Sequence, residues 1–208
     1  MYAEGAHTDR QGVRTGFFNS LAAGWEAANY SPEKRRRLEA LMTILDLRPG
    51  MSVLDVGCGT GILQPFLRRE IGMHGKLIGL DLSPAMLAAA CRNFPDSLHL
   101  LADAAAIPLP DNYLDRVVCF SAFPHIDDKE AAAREFHRVL KPGGRAFVLH
   151  IDGRDKLNHM HDRHEAVRGD HLPCPVGMRK IFGQAGFDET ALDEGENHYH
   201  FTACKRGN

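Results

Sequence analysis

The segment Val53-Leu54-Asp55-Val56-Gly57-Cys58-Gly59-Thr60-Gly61 constrains the fold of this chain more than any other. An apolar run ends around an acid, and three glycines follow at alternate positions. The run has no polar alternation, as expected of a central parallel strand covered on both faces. The glycines permit positive φ and leave no Cβ in the way of a ligand. The helix expected next offers unpaired N–H groups and the positive end of its dipole. Strand, tight turn and helix start therefore put bare backbone against whatever binds there.

Further strands are expected over 76–81, 97–101, 114–120 and 145–151, with helices between them over 62–71, 83–93 and 127–140. Strands alternating with helices predict a parallel, doubly wound sheet. A helix over 176–185, stopped by Gly186, precedes two strands at 187–192 and 199–205. These alternate as an antiparallel pair does, across a long turn at Asp193-Glu194-Gly195-Glu196. The expected fold is α/β: a doubly wound, mostly parallel seven-stranded, Rossmann-like sheet with an antiparallel C-terminal hairpin. Upstream, residues 1–16 read as a flexible arm containing Gly5, Gly12 and Gly16. Phe17–Asn29 reads as a helix with Phe18, Leu21, Ala22 and Trp25 on one face. Ser31-Pro32 opens another, running to about Leu45. The chain thus divides into an arm and helical cover over 1–45 and a single domain over 46–208. A His-rich segment, 152–175, forms a lid.

A chain of 208 residues has room for one such domain. A net charge of -2 gives no pull toward nucleic acid or an anionic membrane. Met1–Thr15 is polar and does not read as a signal peptide. No apolar run approaches the roughly 20 residues a bilayer crossing needs. The five cysteines are scattered and form no CxxC, as reduced thiols of a cytoplasmic protein would. A monomer or homodimer is expected.

In doubly wound sheets the ligand sits at the carboxyl ends of the strands, at the switch point. A dinucleotide turn wants G-x-G-x-x-G. Gly57 and Gly59 fit, but Ile62 stands at the third position and Gly61 falls one residue early. Asp81, about 20 residues on, is placed to accept from ribose hydroxyls. Asp55 puts a negative charge inside the turn, which disfavours a pyrophosphate and favours a cation. S-adenosylmethionine, with an ammonium, a sulfonium and no phosphate, suits that charge better than NAD or ATP. No Gly-Lys-Ser/Thr follows, so a P-loop is excluded.

Four motifs extend this reading. They are the glycine turn, Gly79-Leu80-Asp81-Leu82-Ser83-Pro84-Ala85-Met86-Leu87, Ala102-Asp103-Ala104 with Pro108-Leu109-Pro110, and Arg138-Val139-Leu140-Lys141-Pro142-Gly143-Gly144. In this order and spacing the chain resembles class I S-adenosylmethionine-dependent methyltransferases, of the ubiquinone/menaquinone-biosynthesis branch. The resemblance implies that Asp55, Gly57, Cys58, Gly59 and Gly61 hold the methionine part of the cofactor. Asp81 would bind ribose, Leu82 and Met86 the adenine face, and Asp103 the adenine amino group with Ala104 beside it. Phe120 and Ser121 would face the methyl donor. Trp25, in a segment resembling the branch's N-terminal cover, would close over the sulfonium by cation–π attraction.

The acceptor belongs to the histidine-rich side. His125 follows the fourth strand, His150 ends the fifth, and His161 lies in Asn158-His159-Met160-His161-Asp162-Arg163-His164. Three readings stay open: a general base, a divalent metal held by His125, His150 and His161, or a solvated lid. His198 and His200 are expected away from this rim. The branch and the short chain imply a small-molecule acceptor. A non-catalytic S-adenosylmethionine-binding regulatory module is the rival from another class.

Overall fold

The computed structural model describes residues 4–207. Its sheet has seven strands in the order β3-β2-β1-β4-β5-β7-β6. They are β1 (Ser52–Val56), β2 (Lys76–Asp81), β3 (Leu98–Leu101), β4 (Leu114–Phe120), β5 (Leu140–His150), β6 (Glu189–Gly195) and β7 (His198–Cys204). The first five pair in parallel, and β7 runs antiparallel to both β5 and β6. Strand order reverses between β1 and β4, which is the switch point.

The helices are α1 (Glu4–Leu21), α2 (Trp25–Asn29), α3 (Pro32–Leu41), α4 (Gln64–Ile71), α5 (Pro84–Asn93), α6 (Lys129–Val139), α7 (Arg154–His161) and α8 (Pro175–Gln184). The continuous apolar strands explain why both faces of the sheet are covered. In β1, Leu54 and Val56 enter one core with Phe136 of α6 and Phe182 of α8. Val53 enters the other, with Leu38 of α3 and Leu67 of α4. Val117 and Cys119 of β4 divide from Val118 and Phe120 in the same way. Local chemistry sets the helix starts: Ser31 and Ser83 cap α3 and α5, each followed by proline.

Three expectations need correction. Residues 1–16 are not a flexible arm as far as they are described, because α1 begins at Glu4; residues 1–3 lie outside the described residues. Gly12 and Gly16 face open space, and buried Arg14 anchors the helix by long-range contacts that outweigh glycine's poor propensity. The helix expected over 17–29 breaks into the end of α1, a 3-10 turn at Ala22–Gly24 and α2, leaving Leu21 exposed. The β6–β7 turn is short, because β6 continues to Gly195 and leaves Glu196 and Asn197 as the link.

Candidate active site

The carboxyl ends of β1, β2 and β4 meet α1 and α2 around one cavity of about 1020 Å3, its open mouth included. Gly57, Gly59 and Gly61 all have left-handed backbones, with φ of 66°, 55° and 93°. Their reasons differ. A Cβ on Gly57 would stand 2.2 Å from Ala122 Cβ, and one on Gly61 2.5 Å from the Phe94 ring. A Cβ on Gly59 would meet nothing closer than Trp25 Nε1 at 4.0 Å. Gly57 and Gly61 therefore let protein pack on protein, and Gly59 keeps the cavity floor bare.

The unpaired amides are expected on the helix after the turn, and the turn's own amides are taken up by β2. Gly57 and Cys58 N–H donate to Leu80 O, and Gly59 N–H donates to Asp81 Oδ2 at 2.8 Å. The helix itself starts only at Gln64. A turn whose donors are spent on β2 is a poor phosphate cradle, which agrees with the missing pyrophosphate pattern.

Four acids line the cavity, Asp55, Asp81, Asp103 and Asp127, and the first three stand on the donor side. Asp81 accepts from Gly59 N–H and, through Oδ1, from Ser83 N–H at 2.8 Å. Burial still raises its pKa against those bonds. A carboxylate has about four lone-pair sites, and with Leu82 N–H as a further backbone donor about one remains for a hydroxyl. Asp55 is 2% exposed, and its Oδ2 has no partner. Burial, then the nearby Asp81, push its pKa up to about 8. The negative charge read from sequence is therefore latent: without a cation beside it Asp55 keeps its proton at neutral pH. Asp103 accepts from Ala105 N–H through Oδ1 and from the Gln11 side-chain amide through Oδ2, at 2.9 and 2.8 Å. An NH2 group from α1 thus already sits on the oxygen expected to take an amino group.

Of the other cofactor candidates, Trp25, Cys58, Leu82, Met86, Ala104, Phe120 and Ser121 all line this cavity, and Gly61 lies behind it. Cys58 is buried, and burial pushes its thiol pKa well up, so it is an inert wall. Ser121 carries a non-glycine φ of 54°. Sequence reasoning missed Tyr30, which is hydrogen-bonded to Ser121 and packs its ring 6.4 Å from that of Phe120. Glu26 also ties the cover down, accepting from Thr60 Oγ1 at 3.1 Å. The Trp25 ring sits edge-on to Phe18 at 5.8 Å.

The histidine side is organised by residues that local pattern did not reveal. Arg14 of α1 is 6% exposed and grips Asp170 with two bonds, from Nε at 2.8 Å and Nη2 at 3.0 Å. Its Nη1 donates to Asp127 Oδ1 and to the His125 carbonyl. His125 Nδ1 lies 2.8 Å from Asp170 Oδ2. Burial works against a charge on Asp170, but His125 and Arg14 outweigh it and hold the carboxyl below its usual range. A carboxylate only accepts, so Nδ1 of His125 carries the hydrogen and Nε2 keeps its lone pair. Burial, opposed by Asp170, lowers the His125 pKa and keeps the ring neutral.

Among the three expected histidines, His125 lines the cavity and His150 and His161 do not. His161 packs 4.8 Å from His125, and its Nδ1 is bonded to the Asp170 carbonyl. His150 is 2% exposed and edge-on to Tyr199, with Nε2 unpartnered. Burial, then His125 and His161, drive its pKa down to about 3. The Nδ1 atoms of His125 and His161 are bonded to Asp170, and the three histidines do not form a group of candidate metal ligands among the described residues. Among the described residues the three side chains able to share an ion are Asp193, His198 and His200 instead.

Comparison with known proteins fits the residues just described. Residues 54–148 match the model of the methyltransferase domain family, so that segment is a methyltransferase domain. Within that class, the chain resembles the ubiquinone/menaquinone biosynthesis C-methyltransferase UbiE. It is 33% identical to the Shewanella sp. protein of that name over 147 residues, which cover 64% of this chain and 57% of that one. The chain therefore spans less than two thirds of the length of such curated relatives. The fold is shared with an S-adenosylmethionine-dependent methyltransferase from Aquifex aeolicus. The TM-score is 0.67 at 21% identity, covering 85% of this chain and 99% of that one. It is shared equally with the [4+2]-cyclase SpnF, at TM-score 0.67, 18% identity, and 84% and 82% coverage. Fold alone thus does not fix the chemistry, and the site must.

Proposed function

We propose that this chain transfers the methyl group of S-adenosylmethionine to a small-molecule acceptor at the carboxyl rim of the sheet, with His125 as the base. One observation carries this reading. Every cofactor candidate read from sequence except Gly61 lines the cavity that His125 also lines. The bare Gly59 floor and the unpartnered Oδ2 of Asp55 fit a cofactor that is cationic and lacks phosphate.

In this reading Gly57–Gly61 lie against the methionine part, and Asp55 ionises against its cationic groups. Asp81 accepts from a ribose hydroxyl with the capacity its backbone donors leave. Leu82, Met86 and Ala104 flank adenine, and Asp103 exchanges Gln11 for the adenine amino group. Trp25, Phe120 and Ser121 enclose the donor end, with Tyr30 behind them. When bound, the cofactor supplies an electrophilic methyl group, so the chain need only orient the acceptor and take its proton. His125 Nε2 takes that proton, and Asp170 fixes the tautomer and steadies the imidazolium that forms. His161 packs on His125, and His150 is buried against Tyr199. A metal at these three histidines forms no part of the reaction. Because the relatives are longer, their quinone chemistry is not carried over, and the acceptor is defined only as small enough to enter beside His125.

The test is formation of S-adenosylhomocysteine over a panel of small phenols, amines and carbon acids. Turnover on one of them, cut at least a hundredfold by His125→Ala with cofactor affinity unchanged, is expected. Tight cofactor binding with no turnover on any acceptor would instead favour a regulatory module.

A further inference from the structure

The β6–β7 hairpin carries a second group of histidines that the catalytic reading does not use. Strand register sets it up. Asp193 pairs with His200 and Gly195 with His198, so all four residues point to one face. Tyr199, Phe201 and Ala203 point the other way, into the core with α6 and α8. The rings of His198 and His200 lie 4.8 Å apart between centroids. Each has a buried Nε2 with no hydrogen-bond partner. Asp193 Oδ1 stands 3.2 Å from His198 Nε2. One ligand atom from each of the three falls within 4.8 Å of the others.

Gly195 makes this arrangement possible. A Cβ there would stand 2.7 Å from His198 Cε1, so the imidazole can lie over that strand only because the facing residue has no side chain. Two buried imidazole nitrogens without a hydrogen bond, one of them facing only the Asp193 carboxylate, are costly for a fold to keep. The set has two nitrogens and one carboxylate oxygen. That suits a borderline transition metal and is a poor match for calcium or magnesium, which want oxygen alone.

We propose that Asp193, His198 and His200 bind one divalent ion of the zinc class, which staples the edge strand β6 to β7. The staple has a structural consequence. The hairpin end is the seat of the His-rich segment: Gly153 N–H donates to Glu196 O at 3.0 Å, immediately before α7 begins. Arg37 of α3 bonds the Asn197 carbonyl from the other side. An ion at the hairpin would therefore stiffen the root of the helix that carries His161.

The test uses the full chain without a histidine tag, dialysed against micromolar zinc and analysed for bound metal. One equivalent is expected in the wild-type protein and in His125→Gln, and none in His198→Gln/His200→Gln. Cobalt(II) in place of zinc should give visible ligand-field bands that the double variant lacks. Zinc should raise the Tm of the wild-type protein and leave that of the double variant unchanged. Absence of bound zinc in the wild-type protein overturns the proposal whatever the variants do. Equal zinc in the double variant, with a folded circular dichroism spectrum, overturns it as well.

Discussion

The two halves of the cavity are built by different physics. On the donor side, β1, β2 and the glycine turn bring Gly57, Gly59, Asp55 and Asp81 together through backbone geometry and hydrogen bonds a few residues or one strand apart. On the acceptor side, Arg14, Asp127, His125, His161 and Asp170 come from four separate segments and are joined by side chains. Arg14 and Asp170 are 156 residues apart in the chain. The donor half is a motif, and the acceptor half is a network. A motif fails by steric insult at single atoms, whereas a network fails through uncompensated charge.

The largest effect is expected from cutting the network. Arg14→Ala leaves Asp170 buried without its bidentate partner and should cost about 4 kcal/mol in chemical denaturation. It should also shift the pH dependence of turnover, since Asp170 is then left with His125 and the longer contact from Arg10. A loss under 1 kcal/mol would mean that α1 is a loose cover and that the two halves are not built differently.

Gly57→Ala should come next, at about 3 kcal/mol, because the new methyl meets Ala122 Cβ and the backbone is left-handed. Cofactor binding measured by calorimetry should fall with it. Normal affinity and stability would show that the turn tolerates a side chain and that its glycines are not steric requirements.

Asp55→Asn separates latent charge from shape. In the wild-type protein the folded carboxyl keeps its proton up to about pH 8, whereas the unfolded one loses it near 3.8. Ligand-free stability should therefore fall between those values as pH rises, by up to about 1.4 kcal/mol per unit. The variant removes that slope, so its advantage should widen from pH 5 to pH 8. Its affinity for S-adenosylmethionine should drop about tenfold, about 1.4 kcal/mol. Parallel stability curves for the two proteins would show that Asp55 is already ionised.

The smallest effect is expected at Gln11, where the halves touch. Gln11→Ala frees Asp103 Oδ2 and should tighten cofactor binding a few-fold by removing a competitor, read by the same calorimetry. Weaker binding would make Gln11 a ligand rather than a placeholder.

This contrast explains what the sequence disclosed. The sheet, its switch point and the antiparallel hairpin were legible because each strand's pattern is local and the glycine turn anchors the order. Asp81 was legible because it ends β2 about 20 residues past the turn, and Asp103 through the resemblance of its Ala102-Asp103-Ala104 motif. Arg14, Gln11 and Asp170 were not, because nothing near them in the chain marks them. Arg14 lies among polar residues and glycines that read as an arm, and the long-range contacts of Arg14, Gln11 and Asn19 hold that stretch as a helix against the domain. Asp55 is legible as an acid in the turn, but the negative charge expected of it is not present in the ligand-free protein at neutral pH. Its protonation depends on burial and on Asp81, which sequence does not supply.

The most direct measurement is a calorimetric titration with S-adenosylmethionine at pH 7, repeated in buffers of different ionisation enthalpy, with NADH as the control ligand. One S-adenosylmethionine should bind with release of close to one proton, as Asp55 ionises beside the cofactor's cationic groups, and NADH should not bind. Binding of NADH without S-adenosylmethionine would contradict the donor assignment. S-adenosylmethionine binding with no proton released would contradict the role given to Asp55.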